Sequence, residues 1–350
     1  MATMTTMTYK YRIKDSSIKK VLVSMSNEVN LVWNFCNEVI RRRWKESRFF
    51  TYESTLNSLT KGSSKELNIN SQTIQATFQE LLKQVKKRKV VRFRSRKRKL
   101  GWVPFNGQTF KFLGNYSTYN GIKIRYWYHR PIPEGAVVKT GSFCEDSLGN
   151  WFLNLVVTFP EYLKPTSQGE VGIDLGIKSI ATLSTGKKLE RENISKLFET
   201  KLAKAQRRKQ KRKEKRIQLK IKNKRKDWNH KTTYFLAKNF KQVVVGDTNP
   251  TSILTDFSKI NRAVYDASWY ELKQLLSYKV LRRQGVYLEV SEQDSNEICS
   301  NCLSLKEEKL TLDIREWTCS SCNSILDRDI NAAKNILRFG SESLKQLKTA

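Results

Sequence analysis

The sequence is poor in histidine, in acidic residues and in long apolar runs. Only two of its 350 residues are histidine, His129 and His230, which excludes most hydrolytic mechanisms centred on that side chain. No apolar run approaches the roughly 20 residues of a transmembrane helix, and the start of the chain, MATMTTMTYKYRIKD, lacks the apolar core of a signal peptide. We therefore predict a cytoplasmic protein that does not bind a membrane.

Acidic residues are half as frequent as basic ones. The chain has 66 Lys and Arg against 33 Asp and Glu, giving a formal net charge of +33. A surplus this large predicts a polyanionic partner, with nucleic acid as the leading candidate. The densest basic stretch, Lys201 to Lys226, contains Glu214 as its only acid. It is either a solvated basic helix or, as we expect, an element that follows a phosphate backbone, since unneutralised charges at this density repel each other.

A second basic cluster runs from Lys86 to Phe105 and includes the aromatic residues Phe93, Trp102 and Phe105. Aromatic rings beside cations suit stacking on unpaired bases. The same rings can equally anchor a β-barrel, and for these residues we expect core packing.

Hydrophobic patterning divides the chain into sections. Short strand-like runs at 1–30 and 91–165 predict a small β-barrel, and the 3.6-residue period within 31–90 predicts a helical insertion into it. Pro160 and residues 164–170 resemble a linker. Strands alternate with helices over 170–340, which is typical of an α/β sheet. Residues 341–350 form a tail without a readable pattern.

Four of the six cysteines form two C-x-x-C pairs. Cys299 and Cys302 precede Cys319 and Cys322 by a spacing typical of a four-thiolate zinc ribbon, here 297–325. With four sulfur ligands such a site is closed, so the zinc is expected to be structural. The spacing leaves open whether the ribbon also contacts nucleic acid.

Two aspartates are candidate ligands of a catalytic metal. Asp174 ends an apolar run, VGID, where an unpaired charge is costly; alternatively it is a hydrogen-bonded hairpin residue. Asp329 begins the helical segment DINAAKNIL, where it is either a metal ligand or an N-cap, a part that Asp327 can play equally. A two-metal phosphodiesterase site requires several such acids around hard divalent ions such as magnesium.

The order of these motifs resembles the TnpB family of transposon-encoded, RNA-guided nucleases, which are related to type V CRISPR effectors. The segments that carry the resemblance are GIDLGIKSIATLSTG, SWYELKQLLSYKV, SNEICSNC, WTCSSC and DRDINAAKNIL, with LVWNFCNEV and LGWVPF before them. It implies an α/β RNase H-like (RuvC) nuclease domain with an inserted zinc ribbon, and an N-terminal wedge β-barrel with an inserted helical recognition domain. It also implies a catalytic Asp-Glu-Asp set holding two Mg²⁺ ions, a guide RNA from the transposon end and double-stranded DNA as target.

By position, the resemblance makes Asp174 the first acid and Asp329 the third. The family's usual Glu follows the strand that here reads VVVGD, where this chain has Gly246 and then Asp247. Asp247 could substitute, although a one-residue shift turns a side chain to the other face of a strand. The site could also be broken, or the acid relocated.

Relocation has a concrete candidate in Glu292, at the carboxyl end of the strand VYLEV and before the first C-x-x-C. Some TnpB relatives resemble this chain in that arrangement. Glu289, three positions earlier, should face the opposite side; Glu297 is a weaker candidate, and Glu292 could also be a solvated strand-end residue. We predict Asp174, Glu292 and Asp329 as the catalytic set.

The predicted function is an RNA-guided DNA endonuclease, prokaryotic and nucleoid-associated, that cuts next to a short flanking DNA motif. Two alternatives are an RNA-guided DNA binder that acts as a repressor without cleavage, and an unguided basic nuclease or RNA-binding protein. Magnesium-dependent cutting separates the nuclease from the binder. Co-purification of a discrete RNA separates the guided proteins from the unguided ones.

Overall fold

The computed structural model describes residues 3–88, 90–161, 168–248, 258–306, 310 and 314–349. The chain forms two compact units, Met1–Tyr162 and Leu163–Ala350. Among the described residues, no helix combines the length and the apolar character needed to cross a membrane.

The described residues of the first unit form three α-helices and seven strands. The helices are α1 (Ser16–Ser47), α2 (Glu53–Leu59) and α3 (Ser71–Arg88). The strands are β1 (Thr3–Arg12), β2 (Trp102–Asn106), β3 (Phe110–Phe112), β4 (Tyr116–Tyr119), β5 (Ile122–Arg125), β6 (Val137–Glu145) and β7 (Trp151–Glu161). Helix α1 begins at Ser16, inside the range 1–30 that the sequence analysis assigned to the barrel.

The strands of this unit pair as two antiparallel sheets. One has the order β1-β7-β6-β2 and the other β3-β4-β5, and a bridge between Ile13 and Tyr126 connects them. Aromatic rings fill the shared core, where the ring centroids of Phe105 and Phe110 are 4.6 Å apart. The strand pairings of the described residues thus give two linked sheets and do not close a single barrel.

Pro160 lies inside β7, where it is paired with Met4, and not in a linker. The pairing of β7 with β6 extends only to Thr158. Beyond that residue β7 has a neighbouring strand on one side only, so a residue without an N–H group can be accommodated.

In the second unit, the residues that the structure describes form five helices, a mixed sheet and a hairpin. Its helices are α4 (Ile194–Arg207), α5 (Lys211–Asn239), α6 (Ser258–Ala267), α7 (Trp269–Arg282) and α8 (Arg328–Thr349). Its strands are β8 (Glu170–Asp174), β9 (Ala181–Leu183), β10 (Lys188–Leu189), β11 (Gln242–Gly246), β12 (Val286–Val290), β13 (Glu316–Thr318) and β14 (Ile325–Asp327).

The sheet has the order β10-β9-β8-β11-β12, with β13 and β14 forming a separate hairpin. Strands β8, β11 and β12 are parallel, while β9 and β10 are antiparallel additions. Valine and isoleucine side chains are fully buried along β8 and β11, as expected for central strands covered on both faces. The parallel strands therefore place their carboxyl ends at one edge, where the sequence analysis expected functional groups.

Helices of this unit differ from the predicted ones at two places. The long stretch from Ile194 is interrupted at Lys209, which adopts a left-handed conformation (φ 51°) between α4 and α5. Helix α8 continues through Gly340 to Thr349, so most of the predicted tail is helical. A Cβ at Gly340 would lie 2.6 Å from Val244, so this glycine allows the helix to rest on β11 and does not terminate it.

Candidate active site and zinc-binding knuckles

Asp174 is the last residue of β8, in the middle of the five-stranded sheet. The preceding Val171 and Ile173 are buried, whereas Asp174 is only partly buried. Its carboxylate thus lies where the central strand leaves the sheet, the edge at which α/β sheets commonly hold functional groups.

Helix α8 brings Asp329 to the same edge because it lies directly on β8. A Cβ at Gly172 would be 2.0 Å from the backbone oxygen of Ala333, so only glycine permits this approach. Ala333 and its neighbour Ala332 are fully buried. The small residues of strand and helix therefore hold the amino end of α8 close to the end of β8.

The N-cap of α8 is Asp327 and not Asp329. The Asp327 Oδ1 accepts a hydrogen bond of 3.0 Å from the backbone N–H of Ile330, and its Oδ2 accepts one of 2.7 Å from Lys188. Within the described residues, the contact of the Asp329 carboxylate is a long ion pair, 3.5 Å to the Arg315 guanidinium. Of the two aspartates that the sequence left open for the cap, Asp329 is thus the one whose carboxylate remains available to a metal.

Glu292 occupies the space that a side chain at Gly246 would fill. A Cβ at Gly246 would lie 2.9 Å from Glu292 Oε2 and 3.4 Å from Glu292 Cβ. The Glu292 Oε2 also accepts a 2.6 Å hydrogen bond from the hydroxyl of Thr248, a buried residue. The carboxylate of Glu292 therefore reaches back over the end of β11, beside the position where the sequence lacks its acid.

The three acids influence one another electrostatically. Burial, and after it the negative charges of Asp329 and Glu292, raise the pKa of Asp174 to about 7 against the opposing charge of Arg328. Mutual repulsion of this kind requires short separations in a medium that screens poorly. Three carboxylates thus share one small region whose negative charge favours a bound cation.

The neighbouring acids lie elsewhere. Glu289 faces α7, where it pairs with Lys273 at 3.1 Å and accepts a hydrogen bond from Tyr287. Asp247 is exposed, and its Oδ1 accepts a 3.3 Å hydrogen bond from the backbone N–H of Glu292. Asp247 therefore contacts the backbone of the segment that carries Glu292.

Two buried asparagines of α8, which the sequence analysis missed, fix the segment between Glu292 and the first cysteine. Asn331 and Asn335 donate hydrogen bonds of 2.7 and 2.6 Å to the backbone oxygen of Ile298, and Asn335 donates one of 2.9 Å to that of Ser295. We call this contact the asparagine clamp. Its signal in the sequence is a pair of Asn residues four positions apart, hence on one face of the helix.

The four cysteines of the C-x-x-C pairs converge. Among the described His, Cys, Asp and Glu residues, they are the one group of at least three whose ligand atoms all lie within 4.8 Å of one another. The Sγ atoms of Cys299 and Cys322 are 3.7 Å apart, and those of Cys302 and Cys319 are 3.6 Å apart. A tetrahedral zinc with Zn–S bonds of about 2.3 Å requires a separation near 3.8 Å. The sulfur geometry therefore suits zinc.

The two cysteine turns have the same internal structure and the same sequence pattern, C-S-x-C-x-S. In each turn, the backbone N–H of the first cysteine donates a hydrogen bond to the backbone oxygen of the last serine. The distance is 2.9 Å in the first turn and 3.0 Å in the second. The Ser304 hydroxyl, at 3.3 Å, lowers the pKa of Cys319 to about 6. Ser304, which the sequence analysis did not single out, thus favours the thiolate that zinc requires.

The basic stretch Lys201 to Lys226 lies on α4 and α5, and its Lys and Arg side chains are largely exposed. In the second cluster Phe105 is buried and Trp102 packs edge-on against Trp33 at 6.2 Å, in agreement with the expected core role. Phe93 is partly exposed beneath the guanidinium of Arg41.

Two family models match parts of this chain. Residues 155–251 match the family model described as "Probable transposase", and residues 269–336 match the one described as "Cas12f1-like, TNB domain". The second match includes Glu292, the four cysteines and the first part of α8.

A curated relative from Streptomyces pristinaespiralis, named "Putative RNA-guided DNA endonuclease", is 31% identical over 362 residues, covering 95% of this chain and 89% of the relative. A second, "TnpB-like protein L79" of Acanthamoeba polyphaga mimivirus, is 26% identical over 206 residues, covering 52% of this chain and 39% of the relative.

Among solved structures, the chain is similar to one described as "Cryo-EM structure of the Cas12f1-sgRNA-target DNA complex". The TM-score is 0.57 at 13% sequence identity, with 92% of this chain and 83% of the other covered, so the likeness concerns the fold. The extent of the match to the Streptomyces relative confirms the family that the motifs indicated: the chain is a member of the TnpB family.

Proposed function

We propose that the protein is an RNA-guided endonuclease that hydrolyses phosphodiester bonds of double-stranded DNA beside a short flanking motif. The observation that carries the proposal is the convergence of Asp174, Glu292 and Asp329 at the carboxyl edge of the sheet, where burial and the charges of the other two acids raise the pKa of Asp174. Such a group of acids is costly to fold without a cation and suits two Mg²⁺ ions.

In this mechanism the carboxylates of Asp174, Glu292 and Asp329 would hold the two Mg²⁺ ions. Magnesium pairs of this kind supply an activated water and stabilise the leaving oxygen. The Thr248 hydroxyl, 2.6 Å from Glu292 Oε2, orients that carboxylate. Arg315, which pairs with Asp329 at 3.5 Å, is a cation beside these acids that would be available to a substrate phosphate.

Zinc bound by Cys299, Cys302, Cys319 and Cys322 is structural in this proposal, because four thiolates leave no open position for water. Metal analysis should therefore give one zinc per chain. A Cys319→Ser variant should lose it.

The proposal extends to the architecture and the partners. The order β10-β9-β8-β11-β12 supports an RNase H-like (RuvC) domain over 170–340. The first unit corresponds to the wedge and helical recognition parts. The relatives' names support a guide RNA and a DNA target. We further assign the guide to the transposon end, the target to double-stranded DNA and the protein to the bacterial nucleoid.

The decisive experiment compares Glu292→Gln with Glu289→Gln. Both changes remove one carboxylate from the end of β12 without altering side-chain size, but only Glu292 faces Asp174. Magnesium-dependent cleavage of a DNA library by the complex with its co-expressed transposon-end RNA should be lost at least 100-fold in the first variant and kept in the second. Full cleavage by Glu292→Gln would refute the relocated acid.

The same preparation tests the guided assignment. A discrete RNA should co-purify with the parent protein and with both variants, because neither change touches the basic surfaces. Target binding without cleavage by the parent would identify an RNA-guided repressor. Cleavage without any bound RNA would identify an unguided nuclease.

A further inference from the structure

A groove between the carboxyl ends of α1 and α3 has no role in the catalytic site. It has a volume of about 550 Å³, and its walls are largely apolar. The residues that line it are Asn37, Ile40, Arg41, Trp44, Phe49, Phe50, Thr51, Val85, Lys86, Val90 and Val91. We call it the α1–α3 groove.

Large aromatic side chains at the groove are exposed. Trp44 and Phe49 expose 54% and 67% of their surface, and Tyr52, which is edge-on to Phe50 at 5.8 Å, exposes 68%. Exposed apolar clusters of this kind mark binding sites. The sequence analysis looked for stacking aromatics at Phe93, Trp102 and Phe105 and did not find these.

Two polar groups that line the groove have no hydrogen-bond partner within the part of the chain that the structure describes. The Thr51 hydroxyl is buried, with only 1% of the residue exposed, and it contacts neither a donor nor an acceptor. The Arg41 Nε is likewise buried and unpartnered, although the same guanidinium donates a 2.5 Å hydrogen bond to the Val91 oxygen. Unpaired buried groups are costly, so this pair points to a ligand that supplies both an acceptor and a hydroxyl partner.

The positive charge of the α1–α3 groove limits the chemical classes of ligand that can bind there. Arg41 and Lys86 line it, and none of the lining residues is acidic. The adjoining ends of α1 and α3 read RRRWKES and KKR. With a net charge of +33, a second copy of the chain would be repelled, whereas a polyanion with flat apolar groups would be attracted.

We propose that the α1–α3 groove binds an unpaired base of an RNA strand, stacked on Trp44 and hydrogen-bonded at its edge by Thr51 and Arg41. Aromatic stacking and edge contacts of this kind are how proteins recognise unstacked bases. Folded RNA presents such bases in bulges and loops, whereas duplex DNA keeps its bases stacked. The site is separate from the cleavage chemistry, so it can be tested without any nuclease activity.

The test measures binding of a 5′-fluorescein 15-mer of oligouridine to the full-length, RNA-free protein by anisotropy, without magnesium. Trp44→Ala should weaken binding roughly 5- to 100-fold, the effect of losing one stacked base, and Trp44→Phe should retain most of it. The matched control is Trp127→Ala, since Trp127 is 59% exposed and has Lys14 at 4.5 Å from its ring but does not line the α1–α3 groove. That variant should bind as the parent does.

Two further measurements separate base binding from charge. The slope of log affinity against log salt should be the same for Trp44→Ala and the parent, because the change removes no phosphate contact. The isosteric Thr51→Val should reduce the discrimination among oligouridine, oligoadenylate and oligocytidylate. Equal weakening by Trp44→Ala and Trp127→Ala, or equal competition by a blunt RNA duplex or by oligodeoxythymidine, would overturn the proposal.

Discussion

At the scale of single residues, Gly246 and Glu292 are complementary. Glycine leaves room at the end of β11, and the Glu292 carboxylate fills that room from the next strand, 2.9 Å from where a Cβ would stand. Neither residue is informative alone, because a strand-end glycine and a strand-end glutamate are both common in proteins. Their relation depends on the register of β11 and β12, in which Gly246 pairs with Val290.

We predict that the second acid of the proposed catalytic set can be returned from Glu292 to the position of Gly246. Gly246→Glu alone should abolish cleavage, because the new side chain meets Glu292. The double variant Gly246→Glu, Glu292→Ala should recover cleavage to at least tenfold above Glu292→Ala. Initial rates with saturating magnesium measure this. The control is Gly246→Gln in the Glu292→Ala background, which has the size without the charge, and equal rates for Glu and Gln would contradict the prediction.

Asp174 predicts a pH dependence of stability at low magnesium. Its pKa is about 7 in the folded protein and about 4 in the unfolded chain. The folded state therefore binds the extra proton, and the free energy of unfolding falls as pH rises from about 4 to about 7. Asp174→Asn should raise the melting temperature by a few degrees at pH 8 and leave it unchanged at pH 4.5, whereas the exposed Asp227→Asn should change neither. The Asp227→Asn variant serves to correct for general effects of removing a charge. A parent protein that is then equally stable at pH 4.5 and pH 8 would contradict the prediction.

At the scale of elements, helix α8 connects both candidate metal sites. Its amino end carries Asp329, and its next two turns carry the asparagine clamp on residues Ser295 and Ile298. Cys299 follows directly, and Ser300 donates its N–H to Asn331 Oδ1 at 2.8 Å. One helix thereby positions an acid of the nuclease site and the entrance to the first cysteine turn.

We predict that Asn335→Ala loosens this connection. It removes two hydrogen bonds to buried carbonyl groups and should lower the free energy of unfolding by about 1–3 kcal/mol. It should also raise the magnesium concentration needed for half-maximal cleavage, because Glu292 lies on the released segment. Urea unfolding and a magnesium titration measure the two effects. Lys334→Ala, an exposed neighbour on the same helix, is the control, and identical magnesium curves for the two variants would show that the clamp does not act on Glu292.

Much of this arrangement could be predicted from local patterns. The C-x-x-C pairs, Asp174 at the end of an apolar strand and Asp329 at the start of a helix are each short-range signals. Thr248, Asn331 and Asn335 could not be found in this way, because their partners are distant in sequence and their residue types are common in loops and helices. The N-cap was ambiguous for a related reason, since Asp327 and Asp329 are equally good caps until the helix has a fixed first turn.

At the scale of the whole molecule, charge and exposed aromatic surface are distributed differently. The exposed cations of α5 suit phosphates of any sequence, whereas the α1–α3 groove combines cations with rings and unpartnered polar atoms. The first surface therefore supports affinity, and the second supports discrimination among bases.

We predict that replacing Lys213, Arg216 and Lys220 on one face of α5 by alanine reduces the dependence of nucleic-acid binding on salt. All three side chains are exposed. If each contacts one phosphate, the slope of log affinity against log salt should fall by about 2–3. Anisotropy titrations between about 50 and about 300 mM salt measure the slope, because the screening length of charges changes strongly over this range. A triple variant of the exposed Lys61, Lys65 and Lys139 is the control, and an unchanged slope in the α5 variant would exclude this face from the interface.

The space left by Gly246 has a consequence for the ancestry of such enzymes. If Glu292 supplies the missing acid, a sequence alignment judged position by position would classify this chain as catalytically inactive because of Gly246. Loss and gain of the acid would then be two substitutions on adjacent strands, with an intermediate that carried both or neither. Evolution in this group would then preserve the position of the carboxylate in the site while the residue that supplies it changes.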